Sequence, residues 1–285
     1  MNRIEATFQD LKRSGRKGLV AYLTAGDPDL ARSEAVLRTA LANGVDVLEL
    51  GVPFSDPTAD GPSIQAAAQR ALAAGVTLAG VLELVRRLRA DFATPIVLFG
   101  YSNPFYRYGY ERLCRDAAAA GADGFLVVDM PYEISAEFRR HADAADLVLV
   151  PLIAPTTSPE RAARILSGAR GFVYYIMVKG VTGVRREVVA DLGRNIEALR
   201  AVTALPIAAG FGVSGGRQAG EVAAVADAVV VGSALVQAAH EDRLLPLLQE
   251  LRAGVDTLRD ACGCSASGVS DLASNPGHMA EFGRV

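Results

Sequence analysis

Short runs of aliphatic and β-branched residues alternate along the chain with longer stretches in which Ala, Leu and Arg recur at helical spacing. The apolar runs at 19–24, 45–50, 95–99, 124–128, 147–152, 171–177, 206–209 and 228–231 predict eight strands. Helical periodicity falls between them, near 29–42, 62–73 with 78–90, 107–120, 133–144, 159–166, 191–202, 214–224 and 233–240. A further amphipathic stretch, 243–260, follows the eighth strand, and 4–13 opens the chain with the same spacing. The Arg- and Asp-rich helices read as solvated faces.

Strands rich in β-branched residues and separated by helices predict a parallel sheet covered on both faces. Eight such units predict a closed α/β barrel, a (β/α)8 TIM barrel, with an extra N-terminal helix. An open dinucleotide-binding sheet needs its Gly-rich turn after an early strand, with an acid on the next one. Here the Gly-rich segment Gly210-Phe211-Gly212-Val213-Ser214-Gly215-Gly216 follows the seventh strand. No linker interrupts the alternation, so residues 1–260 are expected to form one barrel domain. The stretch 261–285 lacks an apolar period, contains Gly263, Gly268, Pro276 and Gly277, and reads as an irregular or disordered tail.

Composition narrows the chemistry. The chain has 285 residues, 51 % of them hydrophobic, with 29 Lys and Arg against 32 Asp and Glu, a net charge of −3. That balance gives no electrostatic case for nucleic acid or an anionic membrane as partner. No apolar run approaches the ~20 residues of a membrane helix, and the acid-bearing start Met1-Asn2-Arg3-Ile4-Glu5 does not read as a signal peptide. His141, His240 and His278 are the only histidines; Cys114, Cys262 and Cys264 are the only cysteines. A His-rich metal site and a disulfide framework are therefore not expected, and a reducing, cytoplasmic setting is. Cys262-Gly263-Cys264, with no His nearby, cannot complete a zinc set. Acid–base chemistry must then rest on carboxylates, Tyr or Lys.

In a barrel, chemistry sits at the C-terminal ends of the strands. The second strand runs into Leu48-Glu49-Leu50-Gly51-Val52-Pro53-Phe54, and alternation points Glu49 into the barrel. A carboxylate among apolar side chains has its pKa raised, which suits general acid–base work; the structural alternative is a core Glu held by an ion pair or hydrogen bond. Asp60, in Ala59-Asp60-Gly61-Pro62, lies just before a helix and reads either as its N-cap or as a second site carboxylate. The turns at Gly210-Phe211-Gly212-Val213 and Gly232-Ser233-Ala234 both open helices. Amides there, after strands seven and eight, predict a phosphate cradle, with ordinary tight turns as the alternative. Of Tyr174 and Tyr175, one faces inward. The loop from Lys179 through Gly180 and Gly183 reads as a lid. Lys179 itself is a Schiff-base candidate only if its strand ends before it, and otherwise a solvated loop residue.

These stretches, with Leu23-Thr24-Ala25-Gly26-Asp27-Pro28 and Gly180-Val181-Thr182-Gly183, resemble the tryptophan synthase α-subunit family in order across roughly 1–260. The resemblance implies cleavage of indole-3-glycerol phosphate to indole and glyceraldehyde 3-phosphate, with no cofactor in this chain. It implies that Glu49 is the acid–base residue, that Asp60 binds the indole N–H, and that Tyr174 is an active-site Tyr. It places Thr182 in the lid, and Gly183, Gly212, Val213, Gly232 and Ser233 in the phosphate cradle. Tyr22, Tyr101, Leu126 and Asp129 fall at pocket positions. It also implies a pyridoxal-phosphate β subunit as partner in an α2β2 assembly, contacted through 53–60 and the lid, although some relatives work alone and release indole. The chain departs from the family's common pattern at Tyr22, more often Phe, and at Met177-Val178-Lys179, which replaces a more polar approach to the lid.

Overall fold

A computed structural model describes residues 1–176, 185–210 and 212–261. The chain opens with α1 (Arg3–Arg13) and β1 (Gly18–Thr24), followed by α2 (Leu30–Ala42) and β2 (Val47–Gly51). Next come α3 (Pro62–Ala73), α4 (Leu78–Arg89), β3 (Ile96–Gly100), α5 (Ser102–Tyr108), α6 (Tyr110–Ala120) and β4 (Gly124–Val127). A 3-10 turn (Tyr132–Ile134) and α7 (Ala136–Ala144) lead to β5 (Val148–Leu149), β6 (Leu152–Ile153), α8 (Pro159–Leu166) and β7 (Val173–Ile176). The chain continues with α9 (Arg185–Arg200), β8 (Ile207–Gly210), α10 (Gly216–Ala223), β9 (Ala228–Val231), α11 (Ser233–His240) and α12 (Leu244–Ala261). No helix among the described residues is long and apolar enough to cross a membrane.

Every strand pairing is parallel, in the order β5-β4-β3-β2-β1-β9-β8-β7-β6. The two ends of that order, β5 and β6, are halves of the run predicted as the fifth strand. Val150 donates to the Phe125 carbonyl at 2.8 Å, and the Pro151 carbonyl accepts from Tyr174 at 2.9 Å. The junction Val150-Pro151 thus hands the ladder from β4 to β7 and closes a TIM barrel. Pro151 has no N–H to give, which is why the strand reads as two short pieces.

Two other expectations are corrected. The helix predicted at 107–120 is two helices, because Gly109, at φ +89°, breaks the run and α5 precedes it. The helix predicted from 133 begins as a 3-10 turn before α7. Ala261 ends α12, and the expected tail beyond it lies outside the described residues.

Alternation divides the core into two layers. Val20, Tyr22, Val47, Val97, Phe99, Leu126, Val148, Val150, Ala208 and Val230 fill the barrel, while Leu19, Leu48, Leu50, Leu98 and Val229 face the helices. The N-terminal end of the barrel is plugged by α1, which buries Ile4, Phe8 and Leu11, and Phe8 lies against Phe172 with ring centroids 5.2 Å apart. Asn2 caps α1 and ties it down by donating to the carbonyls of Asp123 and Asp146 at 2.9 and 2.8 Å.

The same end carries a repeated aspartate. Asp46, Asp123 and Asp227 each precede a strand and accept an amide at the start of the neighbouring strand, from Leu19, the second residue of β1, and from Ile96 and Ile207, the first of β3 and β8, each at 2.8 Å. Each is also paired with arginine: Asp46 with Arg252, Asp123 with Arg89 and Arg3, Asp227 with Arg200. The helix arginines Arg89 and Arg252 are only 13 % and 14 % exposed, so these are not the solvated faces the sequence suggested. Asp123 is 1 % exposed and serves two arginines and an amide. Asp123→Ala strands Arg89 without its counter-charge and is expected to cost about 3–5 kcal/mol, read as a lower urea midpoint. A loss under about 1 kcal/mol would show the cluster to be ornamental.

Candidate active site

Glu49 sits in the middle of β2, in register with Tyr22 of β1 and Val97 of β3. It points into the barrel as predicted. Its side chain is fully buried, and neither carboxylate oxygen has a hydrogen-bond partner among the described residues. The structural alternative, a core Glu fixed by an ion pair or hydrogen bond, finds no partner among the described residues. Burial alone pushes its pKa from 4.5 up to about 8, because an apolar barrel disfavours the charged form. At neutral pH this group is an acid with a proton to give.

Tyr22 covers one side. Its ring meets Phe99 edge-on with centroids 4.9 Å apart, and its hydroxyl accepts from Thr24 Oγ1 at 3.4 Å. A Cβ at residue 51 would lie 2.2 Å from the Tyr22 hydroxyl, so Gly51 is required for that ring position. Gly51 carries its own signal in the sequence, since a glycine inside a strand marks a close approach. Tyr174 faces inward from β7, beside Leu152 and Ala208, while Tyr175 faces the helices. Burial raises the Tyr174 hydroxyl well above its ordinary value, and the charges of Glu49 and Asp60 add to that. Tyr22 is raised by burial and then by Asp60. These side chains share one field at one mouth of the barrel. Leu126 lies fully buried on the interior face of β4.

Asp60 is not a helix cap. The N-cap of α3 is Gly61, with no side-chain capping bond. The Asp60 carboxylate instead accepts from the Tyr101 hydroxyl at 3.0 Å. Burial raises its pKa above 3.8, and the Tyr101 bond pulls it back down. Gln65, which the sequence reading missed, donates to the Asp60 carbonyl at 2.9 Å and holds the loop against the start of α3. Asp129 is exposed, and its two oxygens accept from Ser102 N and Ser102 Oγ at 2.7 and 2.8 Å.

The two Gly turns differ. α10 starts at Gly216, and its first turn is occupied by protein: Gln218 accepts from Ser214 N at 2.7 Å and Glu250 accepts from Gly216 N at 2.7 Å. Gly212 has φ +70° with open space where a Cβ would point, and Val213 is buried. α11 begins at Ser233 behind the cap Gly232, with no side chain on its first amides. A Cβ on Gly232 would come 3.6 Å from Tyr22 Cβ, and one on Gly61 would come 3.8 Å from Ser233 Oγ. The α11 terminus thus borders both Tyr22 and the Asp60 loop. Lys179, Thr182 and Gly183 lie outside the described residues.

An acid kept neutral inside a barrel, with a second carboxylate at its rim, can protonate one carbon of a bond and stabilise the cation that results. Fold and site together define a (β/α)8 protein with two carboxylates, Glu49 and Asp60, gathered with Tyr22 and Tyr174 at one mouth of the barrel. A family profile described as "Tryptophan synthase alpha chain" matches residues 8–264. The chain is 49 % identical over 263 residues to the tryptophan synthase alpha chain of Geobacter sulfurreducens, covering 92 % of this chain and 100 % of that one. It is 51 % identical over 237 residues to that of Alkalilimnicola ehrlichii, covering 83 % and 86 %. Among solved structures it is similar to the tryptophan synthase alpha chain from Legionella pneumophila, with TM-score 0.83 and 36 % identity over 90 % of this chain and 98 % of that one. It is equally similar to a chain of tryptophan synthase from M. tuberculosis, with TM-score 0.83 and 34 % identity over 90 % and 99 %. The chain belongs to the tryptophan synthase alpha chain family, and its reaction is the cleavage of indole-3-glycerol phosphate to indole and glyceraldehyde 3-phosphate.

Proposed function

We propose that Glu49 and Asp60 divide the work of this cleavage. Protonated Glu49 gives its proton to the indole ring carbon that bears the glycerol side chain. The ring becomes an indolenine-like cation, and the Asp60 carboxylate, bonded to the indole N–H, stabilises that charge. Glu49, now anionic, takes the proton of the adjacent side-chain hydroxyl. The carbon–carbon bond breaks, its electron pair restores the aromatic ring, and the hydroxyl carbon becomes the aldehyde of glyceraldehyde 3-phosphate. Two carboxylates in different environments are suited to such a division. The observation that carries the reading is the buried, unpartnered Glu49 carboxylate.

Tyr22, Leu126 and Tyr174 wall the ring. Gly212, Val213, Gly232 and Ser233, with Gly183 from the lid, hold the phosphate, mainly through backbone amides at the start of α11. Thr182, outside the described residues, keeps the lid role that the family resemblance implies. The partner is a β subunit that receives indole, docked on the mouth face. The exposure of Tyr106 and Ile134, 68 % and 66 % on segments that follow β3 and β4, supports this surface, and similar solved chains titled tryptophan synthase support the partner. The cytoplasm is the setting in which the three cysteines stay reduced.

The test is to incubate the purified chain with indole-3-glycerol phosphate and measure indole, alone and with a β subunit. Indole release that rises with the β subunit is expected; no indole in either arm would overturn the reading. The kcat/KM profile should fall as pH rises through about 8, where Glu49 loses its proton, and fall again in acid as Asp60 gains one.

A further inference from the structure

We propose that Tyr101 is the positioning residue that aims Asp60, and that Asp129 acts by holding Tyr101 rather than by touching substrate. The proposal rests on the role of Asp60 given above and extends it.

Tyr101 links β3 to α5: it follows Gly100, the last residue of β3, and is the N-cap of α5. Its hydroxyl, on a residue 3 % exposed, makes two bonds to successive residues of the loop before α3. It accepts from Ala59 N at 3.0 Å and donates to Asp60 Oδ2 at 3.0 Å. Phe54 packs against the same ring with centroids 5.3 Å apart. One Asp60 oxygen is thereby spent inside the protein. Oδ1 has no hydrogen-bond partner among the described residues and is left for an N–H donor at the mouth.

The next residue, Ser102, is gripped by Asp129. Both Asp129 oxygens are engaged there, one on the Ser102 amide and one on its hydroxyl. A carboxylate with both oxygens on the neighbour of Tyr101 fixes where the α5 terminus starts, and so where the Tyr101 ring stands. The order is Asp129, Ser102, Tyr101, Asp60. A hydrogen bond donated to a carboxylate favours its anion, so the same contact that aims Asp60 keeps it charged.

The experiment uses Tyr101→Phe, Asp129→Ala and the double variant. Steady-state pH profiles are recorded with indole-3-glycerol phosphate, and the Asp60 carboxyl carbon is titrated by NMR in the ligand-free chain. Tyr101→Phe should lower kcat by about tenfold to a hundredfold, the effect of one hydrogen bond to a charged group. The acid limb should move to higher pH, because losing the donor raises the Asp60 pKa. Affinity for glyceraldehyde 3-phosphate should not change. Asp129→Ala should move the same limb in the same direction by less, and the double variant should match Tyr101→Phe, because both act through one contact. An unmoved Asp60 titration in Tyr101→Phe overturns the proposal, as do losses that multiply in the double variant, which would make Asp129 an independent substrate contact. If the parent chain released no indole, the lyase roles would fail, while the ligand-free Asp60 titration would still decide the role of Tyr101.

Discussion

Glu49→Gln is expected to abolish indole formation while leaving the binding of phosphate ligands intact. Gln has nearly the shape of the protonated acid, so the apolar packing from Tyr22 and Val97 is kept. It has no proton to give to the ring carbon and cannot take one from the side-chain hydroxyl. Both halves of the cleavage lose their agent. General acid–base groups contribute about 10²–10⁴ to rate, and a residue used twice should sit at the upper end. The measurement is single-turnover indole release beside equilibrium binding of glycerol 3-phosphate. A variant within about tenfold of the parent in rate would leave Glu49 without the role assigned to it.

The same substitution should change stability in a pH-dependent way. Glu49 holds its proton far more tightly folded than unfolded, with a pKa of about 8 against 4.5. A group whose pKa is raised on folding contributes fully below its unfolded value, and that contribution is lost as pH rises through the folded one. The parent chain should therefore lose stability between about pH 4.5 and 8 on account of this residue. Glu49→Gln removes that slope. At about 1.4 kcal/mol per pH unit, the gap corresponds to an advantage for Gln of up to about 5 kcal/mol above pH 8. Relaxation of the barrel or entry of water would reduce it. Urea unfolding of both chains at pH 5 and pH 9 measures the difference. Parallel midpoints at both pH values would mean that the carboxylate is already ionised, or already solvated, in the folded barrel.

The link between these two expectations is physical. A barrel interior stripped of partners for Glu49 is costly, since an unpartnered buried carboxylate is tolerated only if neutral. That cost is what raises the Glu49 pKa to about 8, and it falls on the residue to which the proposed mechanism gives the proton transfer. The Asp123 cluster at the opposite end spends its carboxylate on Arg3, Arg89 and the Ile96 amide instead. One acid has no hydrogen-bond partner among the described residues, as the proposed proton transfer requires, and the other is satisfied by its ion pairs.

Alternation along β2 was enough to aim Glu49, and the count of eight strand–helix units was enough to select the barrel, with the late Gly-rich turn disfavouring a dinucleotide-binding sheet. What the sequence hid depends on contacts distant along the chain. No helix is predicted over 102–106, yet α5 begins at Ser102, whose amide and hydroxyl both donate to Asp129, 27 residues on, with Phe105 buried beneath it. Arg89 and Arg252 look like surface residues until Asp123 and Asp46 are brought to them. Asp60 had the position of a cap and is taken from it by Tyr101, whose hydroxyl arrives from the next strand unit. The turn before α10 has the composition of an anion site, but Glu250 of α12 reaches its Gly216 amide first.

Glu49 is expected to carry a proton in the ligand-free chain at neutral pH. Infrared difference spectroscopy against Glu49→Gln reads that proton directly, through the carboxylic acid carbonyl band. The expected result is a protonated Glu49 band at pH 6 that gives way to the carboxylate as pH passes about 8. A spectrum showing Glu49 already ionised at pH 6 would contradict it.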